Sequence, residues 1–291
     1  HDPTEMVGQF IRNEAKENYM PAGVIQKMHT KAASPVEYQL PIGEALVGLN
    51  ALLGRELEIE FCGEIFCLSC GRKTNKSFNQ GHCYPCLKRL AACDQCIIKP
   101  ELCHFHEGTC REPEWGQAHC LQSHIVYLAN SSGLKVGVTR ATQVPTRWID
   151  QGASQALPIF EVSERRIAGL LEVAIRTVVS DRTAWQRMLK GVPDQLDLVA
   201  ERERLLAQAD AAIGPVTEAI DPGQVRLMEE ASPVQIQYPV NQYPEKVTAL
   251  NLDKTPRVAG RLLGIKGQYL ILDSGVLNIR KFGGYRLTLE Y

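Results

Sequence analysis

The chain has 291 residues and a mass of 32.4 kDa, room for two domains or for one with a large insertion, because single cores rarely outgrow about 250–300 residues. Hydrophobic residues at 44% and charged residues at 22% exclude a collagen-like, disordered or coiled-coil chain; the mean hydropathy of -0.17 and the lack of any apolar run of about 18 residues exclude a membrane-spanning helix. The net charge of -1 conceals an asymmetry, since residues 61–190 carry 16 basic and 11 acidic side chains (+5) and the other residues 16 basic and 22 acidic (-6). A +5 segment can meet a phosphate backbone without being the footprint of a dedicated nucleic-acid binder. The opening HDPTEMVGQF has neither a basic start nor an apolar stretch, so no secretory signal is expected and the expectation is a soluble, cytoplasmic protein.

Residues 1–66 hold short alternating runs, GVIQKMH, VEYQLPI and RELEIEFCGEIF, separated by Gly and Pro, and read as β-rich. Cys62 in the last run is expected to be a free buried thiol.

All ten cysteines fall between Cys62 and Cys120, and five of the seven histidines between His82 and His124. Cys67-x2-Cys70 and Cys83-x2-Cys86 form two hairpins able to present four thiolates to one tetrahedral zinc at about 2.3 Å. A pair of disulfides is the competing reading, and it needs an oxidising compartment. A second zinc is expected on Cys93, Cys96, Cys103 and Cys110, with Cys120, His104, His106 or His119 able to replace one of them. An iron–sulfur cluster on four thiolates is the alternative. A segment so rich in Gly, Pro and Cys buries little apolar surface, so metal binding supplies its folding energy and both zinc ions read as structural.

HIVYLA, NSSG and LKVGVT then spell strand, turn and strand. VSERRIAGLLEVAIRTVV places Ile167, Leu170, Leu171, Ala174, Ile175 and Val178 at helical spacing, with Ser163 as N-cap, and Asp181 is placed to cap a second short helix ending at Gly191. Arg147 beside Trp148 suits phosphate contact with base stacking. Glu172 sits four residues before Arg176, which by itself explains an ion pair, and a strand tyrosine such as Tyr127 is ordinarily a packing residue.

Residues 194–213 read as a helix with a charged outer face. VQIQYPV, KVTALNL, GRLLGIKGQYLILDSGVLNI and YRLTLEY repeat the alternation of the amino-terminal end. Neither end has enough strands for a stable sheet of its own, so the predicted fold is α+β. Residues 1–66 and 234–291 form one β-barrel-like domain, with 67–120 as an inserted zinc-binding region, 121–191 as a small α/β unit and 192–233 as a helical linker. Gly264 and Gly267 around Lys266 in GIKGQY read as a tight turn.

The VYL and KVG strands, an arginine about ten residues on and a helix-borne glutamate resemble the GIY-YIG nuclease superfamily, in particular its branch with KIG for YIG. The resemblance implies that Tyr127 helps activate the attacking water, that Arg147 stabilises the phosphate, that Glu172 holds one Mg or Mn ion, and that Gly137 is the motif glycine. Ile125 stands where that pattern has its first glycine, and Lys135 where it has its second tyrosine. Over most of the chain, the cysteine array with CYPC, GTCREPEWG, KVGVTR and RWIDQGA is similar to an uncharacterised bacterial zinc-containing family, a domain of unknown function. The functional expectation is a zinc-stabilised protein that interacts with DNA or RNA, whose hairpin–helix unit has, or descends from, metal-dependent endonuclease chemistry. Its alternatives are a binding module without chemistry, in which Lys135, Arg140, Arg147 and Trp148 hold the nucleic acid, and an iron–sulfur or redox protein.

Overall fold

The computed structural model describes residues 20–291. The amino-terminal part supplies strands β1 (Ala22–Val24), β2 (His29–Lys31), β3 (Glu37–Ile42), β4 (Ala45–Gly48), β5 (Glu56–Phe66) and β6 (Lys73–Thr74). The cysteine-rich part holds helices α1 (Tyr84–Arg89) and α2 (Pro113–Cys120), joined by short 3-10 turns. Strands β7 (His124–Asn130) and β8 (Leu134–Arg140), helix α3 (Thr146–Asp150), strand β9 (Gln155–Val162) and helices α4 (Arg165–Ile175), α5 (Trp185–Met188) and α6 (Leu198–Glu218) follow. The chain closes with β10 (Val225–Leu227), β11 (Val234–Gln235), β12 (Arg257–Lys266), β13 (Tyr269–Leu272), β14 (Gly275–Asn278) and β15 (Tyr285–Glu290).

Alternation builds the largest sheet. Leu57 and Ile59 of β5 and Val258, Gly260 and Leu262 of β12 point inward, while Glu56, Glu60, Arg257 and Arg261 point out, as a pleat with one wet face requires. β5 pairs antiparallel with both β12 and β15, giving the order β1-β15-β5-β12-β13-β14 with β6 added to β5. The outward charges meet across strands, Arg257 with Glu58 at 2.6 Å and Arg261 with Glu56 at 3.3 Å; such exposed pairs are worth about 0–1 kcal/mol, so the inward row carries the sheet. Strands from the two ends of the chain thus share one sheet, and β2-β3-β4 form a second one on the same core.

The barrel is corrected: the fold is α+β with three sheets, none closed among the described residues. β1 passes to the small sheet through the Ile25–Ile42 bridge instead of to β14, so the edges stay apart. Residues 1–19, part of the expected amino-terminal segment, lie outside the described residues. Cys62 is also corrected, since it is exposed. Gly63, at φ 78°, puts a bulge into β5 where Phe61 opposes Leu287 and Ile65 opposes Tyr285, and the extra residues turn outward. Gly267, at φ 61° between β12 and β13, makes the turn expected of GIKGQY. No helix among the described residues is long and apolar enough to cross a membrane.

The third sheet runs β10-β9-β7-β8, with β11 also on β9. Every residue of β7 is buried, because both faces are covered: Ile125, Tyr127 and Ala129 join the core of the large β body, and Val126 and Leu128 join Ile167, Leu171 and Ile175 of α4 and Leu205 and Ala209 of α6. Three expectations change here. Residues 192–233 do not merely link, since α6 packs on this sheet and β10 extends it, and Val234–Gln235 (β11), from the expected carboxy-terminal β segment, joins the same sheet. Ser163 does not cap α4; Glu164 holds the cap position without a side-chain bond to the helix, because its carboxylate is engaged by His106 at 2.6 Å. Asp181 does not cap α5, which starts after Ala184, but pairs with Arg176 at 2.9 Å.

His124 opens β7 fully buried, and burial lowers its pKa to about 4. The unfolded chain takes up that proton near pH 6.5 and the folded chain only near 4, so between these values protons favour unfolding and stability rises with pH. Urea midpoints should fall by the equivalent of about 3 kcal/mol more in the native chain than in His124→Leu on acidification from pH 6.5 to 4. Parallel curves for the two proteins would refute this account.

Candidate functional site

The CxxC hairpins meet as their spacing requires. Sulfurs of Cys67, Cys70, Cys83 and Cys86 all lie within 4.8 Å of one another, with Cys70 Sγ and Cys83 Sγ at 3.7 Å. A tetrahedron of Zn–S bonds near 2.3 Å has sulfurs about 3.8 Å apart, so the donor set fits one zinc. Gly71, at φ 72°, lets the chain turn back after Cys70, and Cys83 and Cys86 flank the first turn of α1. Burial raises the Cys67 thiol, but hydrogen bonds from the N–H groups of Cys83, Cys70 and Ser69 outweigh it and lower the pKa to about 6. Burial and the neighbouring thiols push Cys86 up to about 11. The apolar support is slight: among the described residues only the partly buried Leu90 packs against the three buried cysteines.

Of the second set, Cys96, Cys103 and Cys120 are buried together against Phe105 and Trp115. The thiols of Cys120 and Cys96 hold Cys103 low, and contact with Cys103 and burial push Cys96 and Cys120 up. His104 reaches the same place, within 4.8 Å of Cys96 and Asp94. Cys93 and Cys110 are only half-buried, and the Cys110 thiol points to the Glu112 carbonyl at 3.5 Å. His119 stacks on Trp115 at 4.2 Å and His106 is bound to Glu164. Helix α2 brings Cys120 into the cluster across a sequence gap that spacing alone does not bridge.

The cysteine-rich part docks on α4. Gly169 has the backbone of Pro100 and Glu101 directly above it, and Arg165 donates to the Cys96 and Ile97 carbonyls at 3.2 and 2.7 Å. Segment 97–100 thereby becomes one wall of a cleft of about 710 Å³, opposite the edge strand β8, α3 and Arg280. Nine basic side chains line it, Lys27, Lys99, Lys135, Arg140, Arg147, Arg165, Arg176, Arg182 and Arg280, against Asp150, Glu172 and Asp181. The excess is more than the +5 of residues 61–190 suggests, because Lys27 and Arg280 come from distant parts of the chain. Among the described residues no carboxylate lies within ion-pair distance of Arg140, Arg147 or Arg280. Burial and the charge of Arg147 lower the pKa of Arg280, and the same two causes bring Lys135 to about 8. Cations that repel one another in a concave site favour an anion.

The structure brings Arg147, Lys135, Gly137 and Glu172 to this cleft, with Arg140 on its wall. Glu172 does not form the expected pair with Arg176, which Asp181 has taken; burial and then Asp181 raise its pKa to about 7. Tyr127 lies beneath the cleft with no exposed surface. Its ring crosses its cross-strand partner Gly137, where a Cβ would come within 2.7 Å of the phenol oxygen, so the glycine is needed for the tyrosine to fit. The Tyr127 hydroxyl donates to Gln151 Oε1 at 3.0 Å, and Lys135 Nζ to the same oxygen at 2.7 Å. Burial lifts the phenol to about 12. Trp148 is corrected outright: it is 1% exposed and packs on Tyr127 at 5.8 Å, so it cannot stack on a base. Successive residues of a helix point about 100° apart, so α3 presents Arg147 to the cleft while Trp148 and Ile149 turn into the core beside Tyr127. Gln151, the acceptor shared by Tyr127 and Lys135, carried no motif in the sequence.

The family described as "Protein of unknown function (DUF2797)" matches residues 54–287. The chain belongs to this family. The match takes in the four-cysteine centre and the cleft together, apart from Lys27, so both belong to the family domain. No curated protein and no solved structure matches the chain.

Proposed function

We propose that the cleft binds the phosphate backbone of a nucleic acid and cleaves a phosphodiester bond in it, on a frame held by structural zinc. The observation that carries the reading is the group of unpaired guanidinium groups of Arg140, Arg147 and Arg280 around one half-buried carboxyl, Glu172. It agrees with the likeness of the VYL and KVG strands to the GIY-YIG nucleases.

In this reading Arg147 and Arg280 bind the phosphate and neutralise charge that develops on it. A divalent Mg or Mn ion held by Glu172 would polarise the phosphate and the leaving oxygen. Tyr127 is deeply buried and keeps its own proton at neutral pH, so it cannot accept another, and it serves to position Gln151. Lys135, buried in the wall of the site and held near 8, is the better proton acceptor for the attacking water, because a base is most effective with a pKa close to the working pH.

Arg147→Ala should weaken binding and lower the slope of log K against log salt by about one, as one lost phosphate contact requires. Glu172→Gln should bind nearly as well and cleave nothing. In the native chain, cleavage should climb from about pH 6 to 9 as Glu172 and then Lys135 lose their protons. Full cleavage by Glu172→Gln would remove the nuclease part of the reading and leave binding; normal binding and salt slope in Arg147→Ala would remove the nucleic-acid part.

A further inference from the structure

Beside the basic cleft lies a second hollow of about 320 Å³. The two share Lys135, Asp150, Gln151, Asp181 and Arg280, so they are compartments of one depression. Their chemistry differs. The charged groups of the second are only those shared with the cleft, Lys135 and Arg280 against Asp150 and Asp181, without the cleft's other cations, so its charge is balanced and gives a phosphate no reason to enter.

Its far wall is aromatic. Trp185 and Tyr269 lie parallel within 3°, with ring centroids 5.8 Å apart, and both rings are half-buried. The hollow also presents the polar side chains of Asn278 and Thr183. The shelf is held in place: Trp185 and Tyr269 pack against the cluster of Met188, Leu189, Ile271 and Val276, the Ala184 N–H donates to Ser132 Oγ at 2.8 Å, and the hydroxyls of Thr183 and Ser131 are 3.1 Å apart. A small, pre-formed hollow of balanced charge, with an aromatic wall and a few polar groups, suits a flat heteroaromatic ring.

We propose that this hollow takes one unstacked nucleobase of the strand whose phosphates occupy the basic cleft. The target is then a single-stranded or locally unpaired nucleic acid, because an intact duplex keeps its bases stacked and paired and cannot extend one into the hollow. The inference rests on the nucleic-acid reading of the cleft and adds the substrate class to it.

The test compares a labelled single-stranded oligonucleotide with a blunt duplex of the same sequence, at one salt concentration, by fluorescence anisotropy. The native chain should favour the single strand. Trp185→Ala should weaken single-strand binding about 5- to 150-fold, the worth of one base on an aromatic platform, and leave duplex binding unchanged. On the native chain, irradiation of a strand substituted with 5-bromouracil should cross-link it to Trp185 or Tyr269, a readout independent of how well the variant folds. Equal affinity of the native chain for strand and duplex, or cross-links confined to other residues, would overturn the base pocket and leave the phosphate cleft standing. Binding of neither form at low salt would overturn both.

Discussion

Cys67→Ser is expected to give a protein that has lost one metal ion and aggregates on expression. The centre around Cys67, Cys70, Cys83 and Cys86 rests on little else: among the described residues its apolar support is the partly buried Leu90, and the surrounding segment consists of one six-residue helix, the two-residue strand β6 and turns. Structural zinc contributes about 10–16 kcal/mol to a site of this kind, as much as the whole stability of an ordinary domain, about 5–15 kcal/mol. A serine leaves three ligands and a distorted tetrahedron around a core too small to hold by itself. Elemental analysis of native protein and variant measures this directly. Native protein without zinc, or containing iron with sulfide, would overturn the zinc assignment, and a variant with full metal content and an unchanged melting temperature would overturn the role of Cys67.

Gly169→Ala is the second substitution with a large expected effect. A methyl group there would sit 2.2 Å from the Glu101 nitrogen and 2.5 Å from the Pro100 carbonyl carbon. Both are backbone atoms that no rotamer change can move. The cysteine-rich part must therefore lift off α4, straining the bonds from Arg165 to Cys96 and Ile97. Overpacking of a close contact costs about 1–3 kcal/mol, and roughly 2–4 °C of melting temperature per kcal/mol is usual at this size. The functional loss should be larger than the stability loss, because segment 97–100 is a wall of the basic cleft. Nucleic-acid affinity should drop several-fold with the metal retained. Gly191→Ala, where a Cβ meets nothing within 4 Å, is the control. Equal behaviour of the two variants would show that the docking on α4 does not shape the cleft.

The four-cysteine centre is legible in the amino-acid sequence alone, since two CxxC pairs can reach one tetrahedron with only local folding. So are the hairpin of β7 and β8, the apolar face of α4, and the sharing of one sheet by the two ends of the chain, because these follow from period and from the need to pair strand edges. What sequence could not decide were relations between distant residues. Cys120 replaces the nearer cysteines in the second cluster because α2 carries it there, Trp148 goes into the core because β7 is covered on both faces, and α6 joins the α/β sheet because its apolar side meets α4 and not solvent. Lys27 and Arg280 lie far from Arg147 in sequence and share its cleft only because β2 to β4 and the carboxy-terminal sheet close against α3. Local pattern fixes which side chains are offered on which face; only tertiary packing determines which of those faces come together, and the charge of the cleft is a property of that meeting.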